Sequence, residues 1–122
     1  HTGSESCFYN SLFESEDYSS FTSEKLYELV KDRKINPTEK SYTSYLFEKG
    51  IDKILKKVGE ECTEVIIGAK NNDNAELKYE IADLYYHTLV LMIEQGLTIQ
   101  DIKDELAKRH VVDYKVKQEK MV

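Results

Sequence analysis

The sequence predicts an all-α fold, a helical bundle built on an antiparallel helix hairpin, and three features predict it. From Ile51 onward, Ile54, Leu55, Val58, Cys62, Val65, Ile66 and Ala69 recur at steps of three and four, the period of an amphipathic helix of about five turns. A second helical stretch runs from about Ala75 to Gln95, and the polar "NNDN" at 71–74 is short enough to make the two neighbours in a hairpin. Breakers are scarce: Pro37 is the single proline in 122 residues, there are five glycines, and only "VVDYKVK" near the end alternates like a strand.

Taken in order, residues 1–20, "HTGSESCFYNSLFESEDYSS", are rich in serine and acids, lack a helical period and read as an irregular leader. In "FTSEKLYELVKDRK", Thr22 or Ser23 can cap a helix, Glu24 suits its first turn, and Leu26, Leu29 and Val30 share a face. "INPTEKSYT" breaks that pattern at Pro37, and a short helix through "SYLFEKG" ends near Gly50. The two long helices follow. The second is apolar almost all round through "LVLMI" at 89–93, more than one neighbouring helix can cover. Either the small helices wrap it or a second subunit does; a chain this short buries a limited fraction of its surface alone, so a homodimer is expected. Gly96 is the expected stop, and Thr98 with Asp101 resembles a capping box for a last helix through "IQDIKDELAKR".

Composition narrows the function. Hydrophobic residues at 40% and charged residues at 33% describe a single soluble globular domain. The net charge of −6 opposes a phosphate backbone, so no nucleic-acid partner is expected, and any handling of phosphates calls for a cation in between. No apolar run reaches 18 residues, so no membrane partner is expected. The first lysine is Lys25 and acids precede it, which fits neither a signal nor a transit peptide. Cys7 and Cys62 make no disulfide framework, so a reducing, cytoplasmic setting is expected. The chain begins at His1 rather than Met and is expected to be a piece of something longer.

The charge of "VGEECTEVIIGAK", residues 58–70, is the functional clue. With Val58 at zero, the apolar stripe centres between about 0° and 40°, with Glu61 at about −60°, Lys57 at about −100° and Glu64 at about −120°. On the second long helix, with Leu77 at zero, Glu80 falls at about −60°, His87 at about −80° and Asp83 at about −120°. Both arms therefore carry an acidic pair, spaced i and i+3, at the edge of a core stripe. Four carboxylates converging between helices are unfavourable without a counter-charge. Mg²⁺, a hard cation that prefers oxygen ligands, supplies one, and helix bundles build metal sites in this way. The residues by themselves leave open both a metal site and a solvated helix face. Cys62, on the stripe at about +40°, is expected to be a buried small hydrophobe.

"SYTSYLFEKGIDKILKKVGEECTEVIIGAK" with "YEIADLYYHTLVLM" resembles the phosphoribosyl-ATP pyrophosphohydrolases of the all-α nucleoside triphosphate pyrophosphatase superfamily, over about residues 23–109. The superfamily pattern E-E-x-x-E followed by E-x-x-D is present as Glu60, Glu61, Glu64, Glu80 and Asp83. "SYT" at 41–43, "KVGEE" at 57–61 and "ADLYYH" at 82–87 point to the phosphoribosyl-ATP branch. The leader "HTGSESCFYN" is similar to the carboxy-terminal end of phosphoribosyl-AMP cyclohydrolase, which is fused ahead of the pyrophosphohydrolase in many bacteria and plants. The resemblance implies a cyclohydrolase remnant at 1–13, a linker at 14–22, the pyrophosphohydrolase domain at 23–110 and a tail at 111–122. In the cyclohydrolases a cysteine directly before "HTG" binds zinc with a second ligand at the place of Cys7. Those upstream ligands are absent, so neither zinc nor cyclohydrolase activity is expected here.

The resemblance further implies Mg²⁺-dependent cleavage of phosphoribosyl-ATP between its α and β phosphates, giving phosphoribosyl-AMP and pyrophosphate, the second step of histidine biosynthesis. It implies a homodimer with acidic sites near the subunit interface, a small-molecule nucleotide substrate, and Glu61, Glu64, Glu80 and Asp83 as ligands to Mg²⁺ or, in substitution, Mn²⁺. Glu60, Glu61 and Glu64 are the candidate catalytic residues, with Glu60 placed to orient or deprotonate the attacking water. Lys57, Lys53 and Lys70 are candidate phosphate contacts, against the plain alternative of solvated lysines. Ser41, Tyr42 and Thr43 suit phosphate or ribose contacts, or helix capping. His87 suits a contact to substrate, support of a carboxylate, or a purely structural place. Two rival readings stand beside this one: a house-cleaning nucleoside triphosphate pyrophosphatase, which would share every carboxylate, and a non-catalytic helical interaction module.

Overall fold

The structure, a computed structural model, describes residues 20–109. The readings made for the cyclohydrolase remnant, most of the linker, the tail and "VVDYKVK" lie outside the described residues. Five helices make up the described chain: α1 Ser23–Ile35, α2 Tyr42–Lys49, α3 Ile51–Lys70, α4 Asn74–Gln95 and α5 Ile99–Lys108. There is no strand among the described residues, and no helix among them is long and apolar enough to cross a membrane.

Local chemistry sets the boundaries. The Thr22 hydroxyl accepts from the Lys25 N–H to open α1, Ser41 accepts from Ser44 to open α2, and Asp73 accepts from Ala75 and Glu76 to open α4. Thr98 and Asp101 form the expected reciprocal capping box of α5. Gly96 ends α4 in the left-handed region at φ 80°, and the next N–H, that of Leu97, returns to the Met92 carbonyl at 2.8 Å. The loop through Pro37 is closed by Ser44, whose hydroxyl donates to the Arg33 carbonyl at 2.8 Å and accepts from the Thr38 N–H at 3.1 Å.

The core joins Leu26, Tyr27 and Val30 of α1, Leu46 of α2, Ile54 of α3, and Tyr86, Leu89, Val90, Met92 and Ile93 of α4. Tyr27 donates its hydroxyl to the Leu97 carbonyl at 2.7 Å, tying α1 to the turn after α4, and burial pushes its phenol above the ordinary range. The "LVLMI" segment is thus covered on most sides by α1 and its neighbours, with Leu91 packed at the edge of the core.

The packing of α3 differs from the sequence expectation. The residues it buries are Ile54, Glu61 and Gly68, spaced i, i+7 and i+14 along one line. Gly68 lets α4 approach closely: a Cβ there would lie 3.3 Å from the Leu77 Cα. The helix therefore turns its acidic flank toward α4. Part of the aliphatic stripe faces away from the other described helices, leaving Leu55 48% and Ile66 63% exposed while Ile54 stays in the core and Val58 and Val65 are half-buried. Cys62, expected to be buried on that stripe, is exposed too.

Candidate metal centre

The centre lies where α3 and α4 pack together. Glu61 projects from the middle of α3, and Glu80 and Asp83, one turn apart on α4, meet it. Each offers a carboxylate oxygen within 4.8 Å of the others, and all three side chains are buried. Their burial follows from the helix register: the line that carries Ile54 and Gly68 into the α3–α4 contact carries Glu61 with them. Removing three acids from water is costly unless they are protonated or meet a cation. Burial pushes the Glu80 carboxyl above its ordinary range, the charge of Glu64 pushes it the same way, and a side-chain hydrogen bond with Glu61 pulls it back.

Glu64 stands outside the group of three. It is half-buried at the rim, near enough to act on Glu80 through its charge. Glu60 is exposed, and Lys57 lies between it and the centre, 3.4 Å from Glu60 Oε1 and 3.7 Å from Glu61 Oε2. Lys57 is partly buried, so one ammonium group offsets part of the negative charge at the edge of the cluster. Lys53 lies one turn earlier with its ammonium 5.9 Å from the Tyr45 ring, and Lys70 is exposed in the last turn of α3.

The "SYT" segment clasps α2 to α4 immediately beyond the acids. Ser41 is the helix cap. Thr43, fully buried, hydrogen-bonds to the Tyr86 hydroxyl, and Tyr42 meets His87 Nε2 at 3.0 Å. His87, also fully buried, approaches the Asp83 carbonyl through Nδ1 at 2.8 Å. A carbonyl only accepts, so Nδ1 carries the proton, and in the neutral ring Nε2 accepts from the Tyr42 hydroxyl. Adjacent residues of α2 thereby hold adjacent residues of α4, one turn along from Asp83. Sequence reasoning missed two participants: Tyr86, the partner of Thr43, and Tyr45, an exposed ring 6.3 Å from Tyr42 and stacked near it. The second was accessible from spacing, since positions three apart share a helix face.

The donor set fits a hard divalent ion. Glu61, Glu80 and Asp83 would hold it through carboxylate oxygens that lie within 4.8 Å of one another, and it would supply the positive charge that three buried acids call for. All three donors are oxygens, with no thiol or imidazole nitrogen among them, which favours Mg²⁺ or Mn²⁺ over zinc.

Comparison with known proteins places the chain in a family. The phosphoribosyl-ATP pyrophosphohydrolase family model matches residues 23–110. The chain is 67% identical over 86 residues to a phosphoribosyl-ATP pyrophosphatase of Limosilactobacillus fermentum, covering 70% of this chain and 81% of that one. It is 62% identical over 94 residues to the phosphoribosyl-ATP pyrophosphatase of Lactiplantibacillus plantarum, covering 75% and 89%. A histidine biosynthesis bifunctional protein HisIE of Caldanaerobacter subterraneus subsp. tengcongensis is 56% identical over 110 residues, which cover 90% of this chain and 54% of the relative. The chain spans about half the length of the bifunctional relatives it matches. By sequence over most of its length, and with the resemblance read from its motifs upheld, the chain belongs to the phosphoribosyl-ATP pyrophosphohydrolase family.

Proposed function

We propose that this chain hydrolyses phosphoribosyl-ATP to phosphoribosyl-AMP and pyrophosphate, a step of histidine biosynthesis, with Mg²⁺ as its cofactor and Mn²⁺ as a possible substitute. The observation that carries this reading is the convergence of buried Glu61, Glu80 and Asp83 in a chain of this family. Those three residues hold the ion, and Glu64 at the rim completes the set. When bound, the ion supplies positive charge to the phosphoryl oxygens and makes water more acidic. Lys57 contacts a phosphate oxygen at the edge of the cluster. Glu60, exposed and next to it, orients the attacking water or accepts its proton.

The working unit is a homodimer of antiparallel helix hairpins in the cytoplasm. Leu55, Ile66 and Ile67 of α3 and Ile81 of α4 are all at least 45% exposed, an apolar surface that a second copy would cover. No nucleic-acid or membrane partner enters this reading.

A house-cleaning pyrophosphatase would use the same carboxylates, but the high identity to proteins named phosphoribosyl-ATP pyrophosphatase favours the first reading. The test is pyrophosphate release from phosphoribosyl-ATP, ATP, dATP and dUTP, with and without Mg²⁺. Release that needs Mg²⁺ and favours phosphoribosyl-ATP is expected. Preference for a plain nucleotide would move the chain to the house-cleaning reading.

A further inference from the structure

The acid cluster accounts for one end of an elongated strip and leaves the other unexplained. On α3, Lys53, Lys57 and Glu61 follow one another at four-residue spacing, so they share a face over about 12 Å of helix. On α2, Tyr42, Tyr45 and Lys49 share the face that meets it. The two faces touch at Tyr45, whose ring lies 5.8 Å from the Lys49 ammonium and 5.9 Å from that of Lys53. At the opposite end Lys57 approaches Glu61, and Tyr42 reaches His87 beside Asp83. The strip is therefore anionic at one end and cationic at the other, with an exposed aromatic ring at the cationic end.

That polarity matches a substrate with two differently charged ends. A triphosphate needs a metal ion, and so binds at the acids. The phosphoribosyl group is anionic too, but its single phosphate is far from the reacting bond and calls for ammonium groups directly. A purine or sugar face packs on an aromatic ring, and lysines already drawn to that ring stand ready for the phosphate beside it. We propose that Tyr45, Lys49 and Lys53 form the subsite for the phosphoribosyl end of the nucleotide. Plain ATP lacks the group this subsite takes, so these residues set the preference for phosphoribosyl-ATP over ATP. The inference rests on the pyrophosphohydrolase reading above.

The experiment is a determination of kcat and KM for phosphoribosyl-ATP and for ATP, in the wild-type protein, in Tyr45→Leu and in the double variant Lys49→Gln/Lys53→Gln. Loss of one charge-assisted contact corresponds to roughly tenfold in binding, so the double variant is expected to lose at least about tenfold in its preference for phosphoribosyl-ATP, mainly through KM. Tyr45→Phe, which keeps the ring, is expected to retain the preference that Tyr45→Leu loses. Should Tyr45→Leu fail to fold, the changes at exposed Lys49 and half-buried Lys53 decide alone. Variants that fold and keep the wild-type preference would overturn the subsite while leaving the activity in place. A wild-type protein that hydrolyses neither nucleotide would overturn the activity reading and the subsite with it.

Discussion

A side-chain hydrogen bond links Glu61 of α3 to Glu80 of α4, two buried acids on different helices. Burial, and next the charge of Glu64, hold the Glu80 carboxyl above its ordinary range. A raised carboxyl pKa means that the folded state binds the proton more tightly than the unfolded chain. The stability this contributes is fully present below the ordinary carboxylate pKa and is lost as pH rises through the raised value. In the presence of EDTA, Glu80→Gln, which keeps the shape and removes the ionisation, is expected to melt above the wild type at neutral pH. The gap should close on acidification. A gap that is the same at every pH would count against the shift.

Two glycines of α3 make opposite predictions. Gly59 is exposed, and a Cβ there meets nothing within 4 Å, so Gly59→Ala should stabilise the helix by about 0.5–1 kcal/mol through backbone entropy alone. Gly68 faces backbone atoms of α4, which cannot rotate aside as a side chain can. Gly68→Val is expected to push the helices apart and cost about 1–3 kcal/mol. Urea unfolding of the two variants checks both signs.

Thr43 has no exposed surface and hydrogen-bonds to Tyr86. Thr43→Val keeps the volume and removes the hydroxyl, and a lost buried hydrogen bond costs about 1–2 kcal/mol. The expected outcome is a lower melting temperature with little change in KM for the nucleotide, and Thr43→Ser should restore most of the stability. A large rise in KM in a fully folded Thr43→Val protein would instead indicate contact with the substrate.

Ile66 is among the most exposed large apolar residues of the described chain and lies on the part of the α3 stripe that no other described helix covers. If a second copy covers it, Ile66→Lys should shift the protein toward monomer in light scattering at micromolar concentration. Melting should then depend on protein concentration in the wild type but not in the variant. A wild type that is already monomeric would remove the dimer from the proposal.

Much of this architecture is written in local sequence. Thr22, Ser41, Asp73 and the Thr98–Asp101 pair mark helix starts, and Gly96 marks a stop, because capping chemistry depends on neighbours a few residues away. The pairing of an acidic flank on α3 with one on α4 was legible for the same reason: the carboxylates recur at helical spacing. What the period did not reveal is which face of α3 meets α4. Hydrophobicity pointed to the whole stripe from Ile54 to Ala69, of which Ile54 is buried but Leu55, Cys62 and Ile66 are not, whereas the line through Gly68 buries Glu61. A small residue that admits a neighbouring backbone outweighs an apolar stripe here, and Cys62 is exposed as a consequence. The links from Thr43 to Tyr86 and from Tyr42 to His87 span more than forty residues, so no local pattern announces them.

The most direct measurement is a calorimetric titration of Mg²⁺, and in parallel Mn²⁺, into EDTA-stripped wild-type protein, Glu61→Gln and Glu60→Gln. Saturable binding to the wild type is expected, weakened at least about tenfold in Glu61→Gln, which loses a buried ligand, and largely kept in exposed Glu60→Gln. Equal binding by wild type and Glu61→Gln, or no binding by either, would contradict a metal centre built on Glu61, Glu80 and Asp83.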